Sequence, residues 1–335
     1  MVVVAFTSLI LIGAGWTYFD WFTHNDNSFH VTAYLPGVTT TNSFAPLPLY
    51  LTQDPRKVAL GNRLFNEPRL SGDGTVSCAH CHNLNIGGVD RLIRSRGVEG
   101  KEGNINAPTV FNSGFNFRQF WDGRAETLED QVDGPLQNPR EMAGSWPKAL
   151  STLKSDSDYA AEFSAIYPDG ITARNVKDAI ATFERSLFTP NSRFDRYLRG
   201  DQAALNVEEQ AGLLLFQQIG CASCHQGLNL GGNMYQKLGI MDDYFAARGQ
   251  MNAADQGRFN ITKQEEDRHF FRVPSLRNVA LTPPYLHDGS ASTLDDAVLI
   301  MARYQLGKEL SPSDARQISA FLRSLTGEYK GKLLE

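Results

Sequence analysis

The chain has 335 residues, 41% of them apolar and 21% charged, and a net charge of −5. This length accommodates two domains or one large one, and the composition supplies enough apolar side chains for packed cores. The mildly negative balance contains no basic block, so nothing marks the chain as a nucleic-acid binder.

Residues 2–19 are uncharged and mostly apolar, and Trp16, Tyr18, Phe19, Trp21 and Phe22 cluster as aromatics do at a membrane interface. The run is just long enough to span a bilayer. A cleaved secretory signal fits the same stretch. However, no Lys or Arg precedes it and no clear small-x-small site follows, which favours an uncleaved anchor over 1–23. Either exports the bulk of the chain, which stays tethered to the inner membrane if the anchor is kept. Residues 24–54 are rich in Thr, Ser, Asn and Pro and read as a linker.

From Lys57 onward the cues are helical. Thr172 caps a helix with Val176, Ile180, Phe183 and Leu187 on one face. Asn206 and Glu209 form a capping box before Ala211–Phe216. Ser311 and Pro312 open a last helix carrying Ile318, Phe321, Leu322 and Leu325, which Gly327 is expected to close. No convincing run of alternating strands appears. The expected class is mainly α, with long loops.

Two stretches carry the chemistry. Cys78-Ala-His-Cys81-His82 and Cys221-Ala-Ser-Cys224-His225 use all four cysteines. Cys-x-x-Cys-His is the attachment pattern of a c-type haem: two sulfurs bond the haem vinyl groups and the adjacent His supplies an axial nitrogen to iron. A disulfide pair, a redox Cys-x-x-Cys or a four-Cys zinc site would not need a His after each pair. Two covalent haems are therefore expected.

The surroundings repeat as well. Gly61–Phe65 and Gly212–Phe216 precede the two motifs, and Ala107–Asn112 matches Val273–Asn278. Trp121-Asp-Gly-Arg-Ala-Glu-Thr-Leu-Glu-Asp-Gln-Val132 matches His287-Asp-Gly-Ser-Ala-Ser-Thr-Leu-Asp-Asp-Ala-Val298. Two tandem cytochrome c-like domains follow, over 55–195 and 196–335, with a last helix free to pack back on the first.

Three residues beyond each matched Val, the second half has Met301 and the first has Pro135. A Met thioether can fill the sixth position of a haem iron and suits electron transfer, whereas Pro has no donor and leaves the face open. Met301 also fits a core role. Near Pro135, Gln131 and Glu141 can handle peroxide. One carboxylate can take a proton from one peroxide oxygen and return it to the departing one. Trp121 is a candidate for a place between the haems, or for core packing.

Together, both haem motifs, Phe120–Arg124, Asn138–Met142, Val273–Asn278 and Pro284–His287 resemble the bacterial dihaem cytochrome c peroxidase family over about residues 50–328. The resemblance implies a low-potential peroxidatic haem in the first domain and a high-potential His/Met haem in the second. It implies a periplasmic enzyme reducing hydrogen peroxide with electrons from a small cytochrome c or a cupredoxin, commonly as a homodimer. It also implies a calcium ion at the domain interface, held partly by Asn106 and by the carbonyls of Thr282 and Pro284. Many members carry a distal His at the position of Val98; with no His between His82 and His225, that switch is in doubt here. Two other functions compete. One is a dihaem electron carrier without turnover. The other is a dihaem oxidase of a partner-protein side chain, a branch with Tyr at the Met301 position.

Overall fold

The computed structural model describes residues 43–335. The expected anchor or signal segment over 1–23 and residues 24–42 of the expected linker lie outside the described residues. The first half contains α1 (Pro55–Phe65), α2 (Cys78–Cys81), α3 (Leu128–Gln131), α4 (Asp133–Gln137), α5 (Trp146–Lys154), α6 (Ser157–Ile166) and α7 (Ala173–Ser186). The second contains α8 (Arg193–Leu198), α9 (Val207–Gln218), α10 (Tyr244–Arg248), α11 (Phe259–Thr262), α12 (Leu294–Ile300) and α13 (Pro312–Arg323). Two short antiparallel ribbons complete it. β1 (Tyr235–Lys237) pairs with β2 (Phe270–Arg272), and β3 (Glu328–Tyr329) pairs with β4 (Lys332–Leu333). Among the described residues, no helix is long and apolar enough to cross a membrane.

Local chemistry sets the helix starts. The Thr172 hydroxyl accepts from the Asn175 N–H, and Asn206/Glu209 and Ser311/Asp314 form reciprocal capping boxes. Gly327 does not close α13, which ends at Arg323. Gly327 is instead a crossing point, where a Cβ would lie 2.0 Å from the Thr189 carbonyl oxygen.

Each half is built on one crossed helix pair. α1 packs on α7 and α9 on α13, and a glycine lets each pair approach closely. A Cβ on Gly61 would meet the Ala179 oxygen at 2.0 Å, and one on Gly212 the Gln317 oxygen at 1.9 Å. Phe65–Phe183 and Phe216–Phe321, both with ring centroids 5.3 Å apart, close the two crossings.

The duplication extends to the backbone. Left-handed residues recur 166 positions apart: Asn112 (φ 61°) and Asn278 (60°), Phe120 (68°) and Leu286 (70°), Gly123 and Gly289 (67° each). For Phe and Leu this conformation is costly. A β-bridge holds each turn, Gln119–Ala125 in one half and Tyr285–Ala291 in the other. At the junction, Thr189 lies between the matched asparagines, and its hydroxyl accepts from the amides of Asn112 (2.8 Å) and Asn278 (3.0 Å).

Three expectations are corrected. A boundary after residue 195 would cut α8. Phe194 packs on Phe321 and Phe44, and Asp195 pairs at 2.7 Å with the fully buried Arg277, so α8 belongs to the second domain. The described end of the expected linker, from residue 43, is docked rather than free. The Leu47 N–H donates to Asp195 Oδ1 (3.0 Å), Arg277 donates to the Ala45 carbonyl (3.1 Å), and Leu47 has no solvent exposure. The last helix stays on its own domain, because its apolar stripe is used up against α9. The β3–β4 tail makes the crossing instead: Tyr329 packs edge-on against Phe111, and Leu334 joins the same cluster.

Candidate haem sites

In the first half, Ser77 precedes the short helix α2, which presents Cys78 and Cys81 one turn apart, with His82 at its end. In the second, a tight turn after Gly220 (φ 103°) presents Cys221, Cys224 and His225. None of the four cysteines is disulfide-linked. Burial pushes the thiols of Cys78 and Cys221 up to about 12 and that of Cys81 to about 11. Neutral sulfur suits a thioether linkage and disfavours the thiolate that a redox Cys-x-x-Cys needs.

Both histidines are held alike. His82 Nδ1–H donates to the Gly88 carbonyl at 3.3 Å, and His225 Nδ1–H donates to the Leu230 carbonyl at 3.2 Å. A carbonyl can only accept, which fixes the tautomer and leaves each Nε2 with its lone pair for a metal. Burial depresses both imidazoles, His225 to about 4, so each is neutral as a ligand must be.

The second half encloses a mostly apolar cavity lined by Cys221, Cys224, His225 and Met301, with Leu294, Val298, Ile318 and Leu322 among its walls. Attachment sulfurs, an axial nitrogen and a thioether face one space, so these residues fit a His/Met haem. Met301 begins a π-helical turn, Met301–Gln305, a distortion that often marks functional positions. In the first half, α4 carries Pro135 at the matching place.

Glu141 sits beside the first attachment helix, close enough for its charge to raise the Cys81 thiol further. Its Oε1 accepts from Asn138 Nδ2 at 2.6 Å. Burial pushes the Glu141 carboxyl above the usual range, against the pull of the Arg124 guanidinium and of this hydrogen bond. Arg124 stacks on Phe120 at 3.5 Å and pairs with Asp122 at 2.8 Å. Gln131 ends α3, half-buried. Val98 is buried with Val132, Leu136 and Met142, and its N–H donates to the Glu141 carbonyl at 2.8 Å. That bond fixes the loop against the Glu141 backbone.

Trp121 lies at the interface and lines the second cavity. Its indole N–H donates to the Asn106 carbonyl (2.9 Å), and its ring meets His287 edge-on at 6.3 Å. The repeat makes the strand contacts reciprocal: Asn106 N–H donates to the His287 carbonyl (2.8 Å) and Arg272 N–H to the Trp121 carbonyl (2.7 Å). Asn106, Thr282 and Pro284 all line this cavity. The Asn106 amide nitrogen is used on the Leu92 carbonyl (2.9 Å), which leaves its Oδ1 for a cation.

Several charged groups here were not singled out from the sequence. Arg272, 3% exposed, lines the second cavity without a carboxylate partner among the described residues. Its Nε donates to the Phe120 carbonyl (3.1 Å), and burial pulls it down to about 10. Asp255, His287 and Asp288 form a buried group with metal-ligand spacing, but Arg248 pairs with both aspartates. His287 Nε2 donates to Asp255 at 2.7 Å. Although burial opposes it, the His287 and Arg248 hydrogen bonds hold the Asp255 carboxyl well below the usual range. An ion-pair network thus occupies the group. Arg124 falls within a recognised motif, whereas Arg248 and Asp255 carry no spacing signal.

A family model described as di-haem cytochrome c peroxidase matches residues 55–203. Cytochrome c peroxidase Ccp of Escherichia coli is 52% identical over 85% of this chain, which spans only 61% of that longer protein. Cytochrome c551 peroxidase of Nitrosomonas europaea is 42% identical, covering 87% of this chain and 86% of its own length. Among solved structures, a MauG-like protein associated with microbial copper homeostasis superposes with a TM-score of 0.74 at 29% identity, over 88% of this chain and 96% of that one.

Proposed function

Because the chain belongs to the di-haem cytochrome c peroxidase family, we propose that it reduces hydrogen peroxide to water in the first domain with electrons entering through the second. The observation that carries this assignment is the asymmetry of two otherwise repeated cradles. Met301 faces the same cavity as His225, while Pro135, at the matching place in the first half, offers no ligand. An electron carrier gains nothing from an open face with a half-buried carboxylate beside it.

The haems, when bound, supply the iron at which peroxide reacts and the path by which two electrons arrive. The protein's part is proton handling and position. The reaction consumes two electrons and two protons for each peroxide and yields two waters. Glu141, ionised, would take the proton from one oxygen of the peroxide. Its raised affinity for protons, set by burial, makes it an effective acceptor. It would then return that proton to the other oxygen, which leaves as water. Arg124 lies near enough to favour the ionised form between turnovers. Gln131 is the proposed second polar group over the same face. Trp121, fixed by Asn106 at the domain interface, is the proposed electronic contact between the halves.

Position 98 bears on resting readiness. Val98 has no donor atom and is packed against Val132 and Met142, so the first site is expected to accept peroxide without prior reduction. A calcium ion is proposed at the Asn106, Thr282 and Pro284 oxygens. We further assign a periplasmic location, an N-terminal membrane tether, a homodimeric state, and a small cytochrome c or cupredoxin as donor. Steady-state consumption of peroxide with a reduced small cytochrome tests the assignment. Two bound haems without turnover would favour the electron-carrier alternative.

A further inference from the structure

Glu184 lies on α7, 6% exposed, and its side chain makes no hydrogen bond or ion pair among the described residues; its Oε2 is fully enclosed. An unpaired buried carboxyl is expensive to keep. The repeat shows where it points. The crossings at Gly61/Ala179 and Gly212/Gln317 set α7 on α13 so that Phe183 matches Phe321, Ile180 matches Ile318, and Glu184 matches Leu322. Ile318 and Leu322 are wall residues of the second cavity. Glu184 therefore occupies the same wall in the first half, and its field reaches Cys78. One cradle is walled by a hydrocarbon, the other by a carboxyl.

We propose that Glu184 is a proton-binding site coupled to the oxidation state of the first haem, an inference that rests on the dihaem assignment above. Adding an electron to that site favours protonated Glu184; removing it favours the carboxylate, whose negative charge offsets the added positive charge. One proton is thus taken up from solvent with the electron and released with its loss, so charge balances at each step. The groups facing Glu184 are few. Burial, the largest influence, drives the carboxyl up to about 8. Arg185 on its own helix opposes this, and Glu129 on α3 adds to it. Arg185 is already committed to Glu129 through paired bonds of 2.7 and 2.8 Å, so it cannot neutralise Glu184. Cys78, once linked to haem, carries no charge. The second haem, walled by Leu322, has no such partner.

The test is potentiometric titration of the haem-loaded protein across a pH series, following each haem by its absorbance. The wild-type first haem is expected to lose potential as pH rises, approaching about 59 mV per pH unit, the one-electron equivalent of a tenfold change. Glu184→Gln and Glu184→Leu, the latter restoring the residue of the second half, should keep both haems and lose most of that slope. Glu141 and the haem carboxylates are common to all three proteins and cancel in the comparison. Redox-difference infrared spectra of the wild type should show a protonated-carboxyl band that disappears on oxidation, and the variants should lack it. A slope equal in all three proteins, or a wild-type spectrum without that band, overturns the proposal. Failure of the peroxidase assignment would appear separately, as absent turnover with haems and slope intact.

Discussion

Replacing Glu141 with Gln is the most informative single change at the first site. The carboxyl has one side-chain partner, Asn138 Nδ2 at 2.6 Å, and an amide oxygen can accept the same bond. The backbone carbonyl that anchors Val98 is untouched. Fold and haem content should therefore be retained, and the loss should fall on proton transfer. General acid–base groups contribute about 10²–10⁴-fold, which corresponds to about 3–5 kcal/mol of barrier at 1.36 kcal/mol per decade. The assay is peroxide consumption with a reduced cytochrome, alongside stopped-flow mixing of peroxide with the variant. The sign of the pH dependence is fixed as well. Glu141 must be ionised to accept the first proton, so wild-type kcat/KM should fall as pH drops through its raised pKa, a limb the Gln variant should lack. Near-wild-type turnover with an unchanged acid limb would refute this role.

Other perturbations separate the two domains. Gly212→Ala would place a Cβ 1.9 Å from the Gln317 oxygen; strain of about 1–3 kcal/mol or more should lower the melting temperature and the haem content of the second domain, leaving the first haem spectrum nearly unchanged. Asp195→Asn leaves the fully buried Arg277 guanidinium without its counter-charge, and a loss of about 3–5 kcal/mol should appear in denaturant titrations. Met301→His should lower the potential of the second haem in potentiometry; an unchanged potential would return Met301 to the core. Glu184 contributes to pH-dependent stability with a definite sign. Its folded pKa is raised, so the folded state holds the proton over a range in which the unfolded chain has released it. Relative to Glu184→Gln, the wild type should therefore lose thermal stability as pH rises from the ordinary glutamate range toward about 8.

What could be read in advance was local or repeated. The haem motifs and the caps at Thr172, Asn206 and Ser311 depend on residues within a few positions of one another, and the caps appear in the structure as expected. The Met301/Pro135 contrast was legible because the duplication supplies an internal reference at a constant offset of 166. Long-range contacts left no such trace. Pro46-Leu-Pro48 looks like linker composition, yet Leu47 is held by Asp195, Ala45 by Arg277 and Phe44 by Phe194, residues far away in the chain. Glu184 carries no motif or spacing signal, and its burial on α7 shows only in the structure. Gly327 resembled a helix stop, but its lack of a side chain serves the close passage over Thr189.

The central claim, two covalent haems with different sixth positions, is tested most directly by the optical and EPR spectra of the fully oxidised protein. The prediction is one low-spin His/Met haem, lost as such on Met301→His, and one high-spin haem on the side of Pro135 and Val98. Two low-spin haems, a single haem per chain, or bound zinc in place of haem would contradict it.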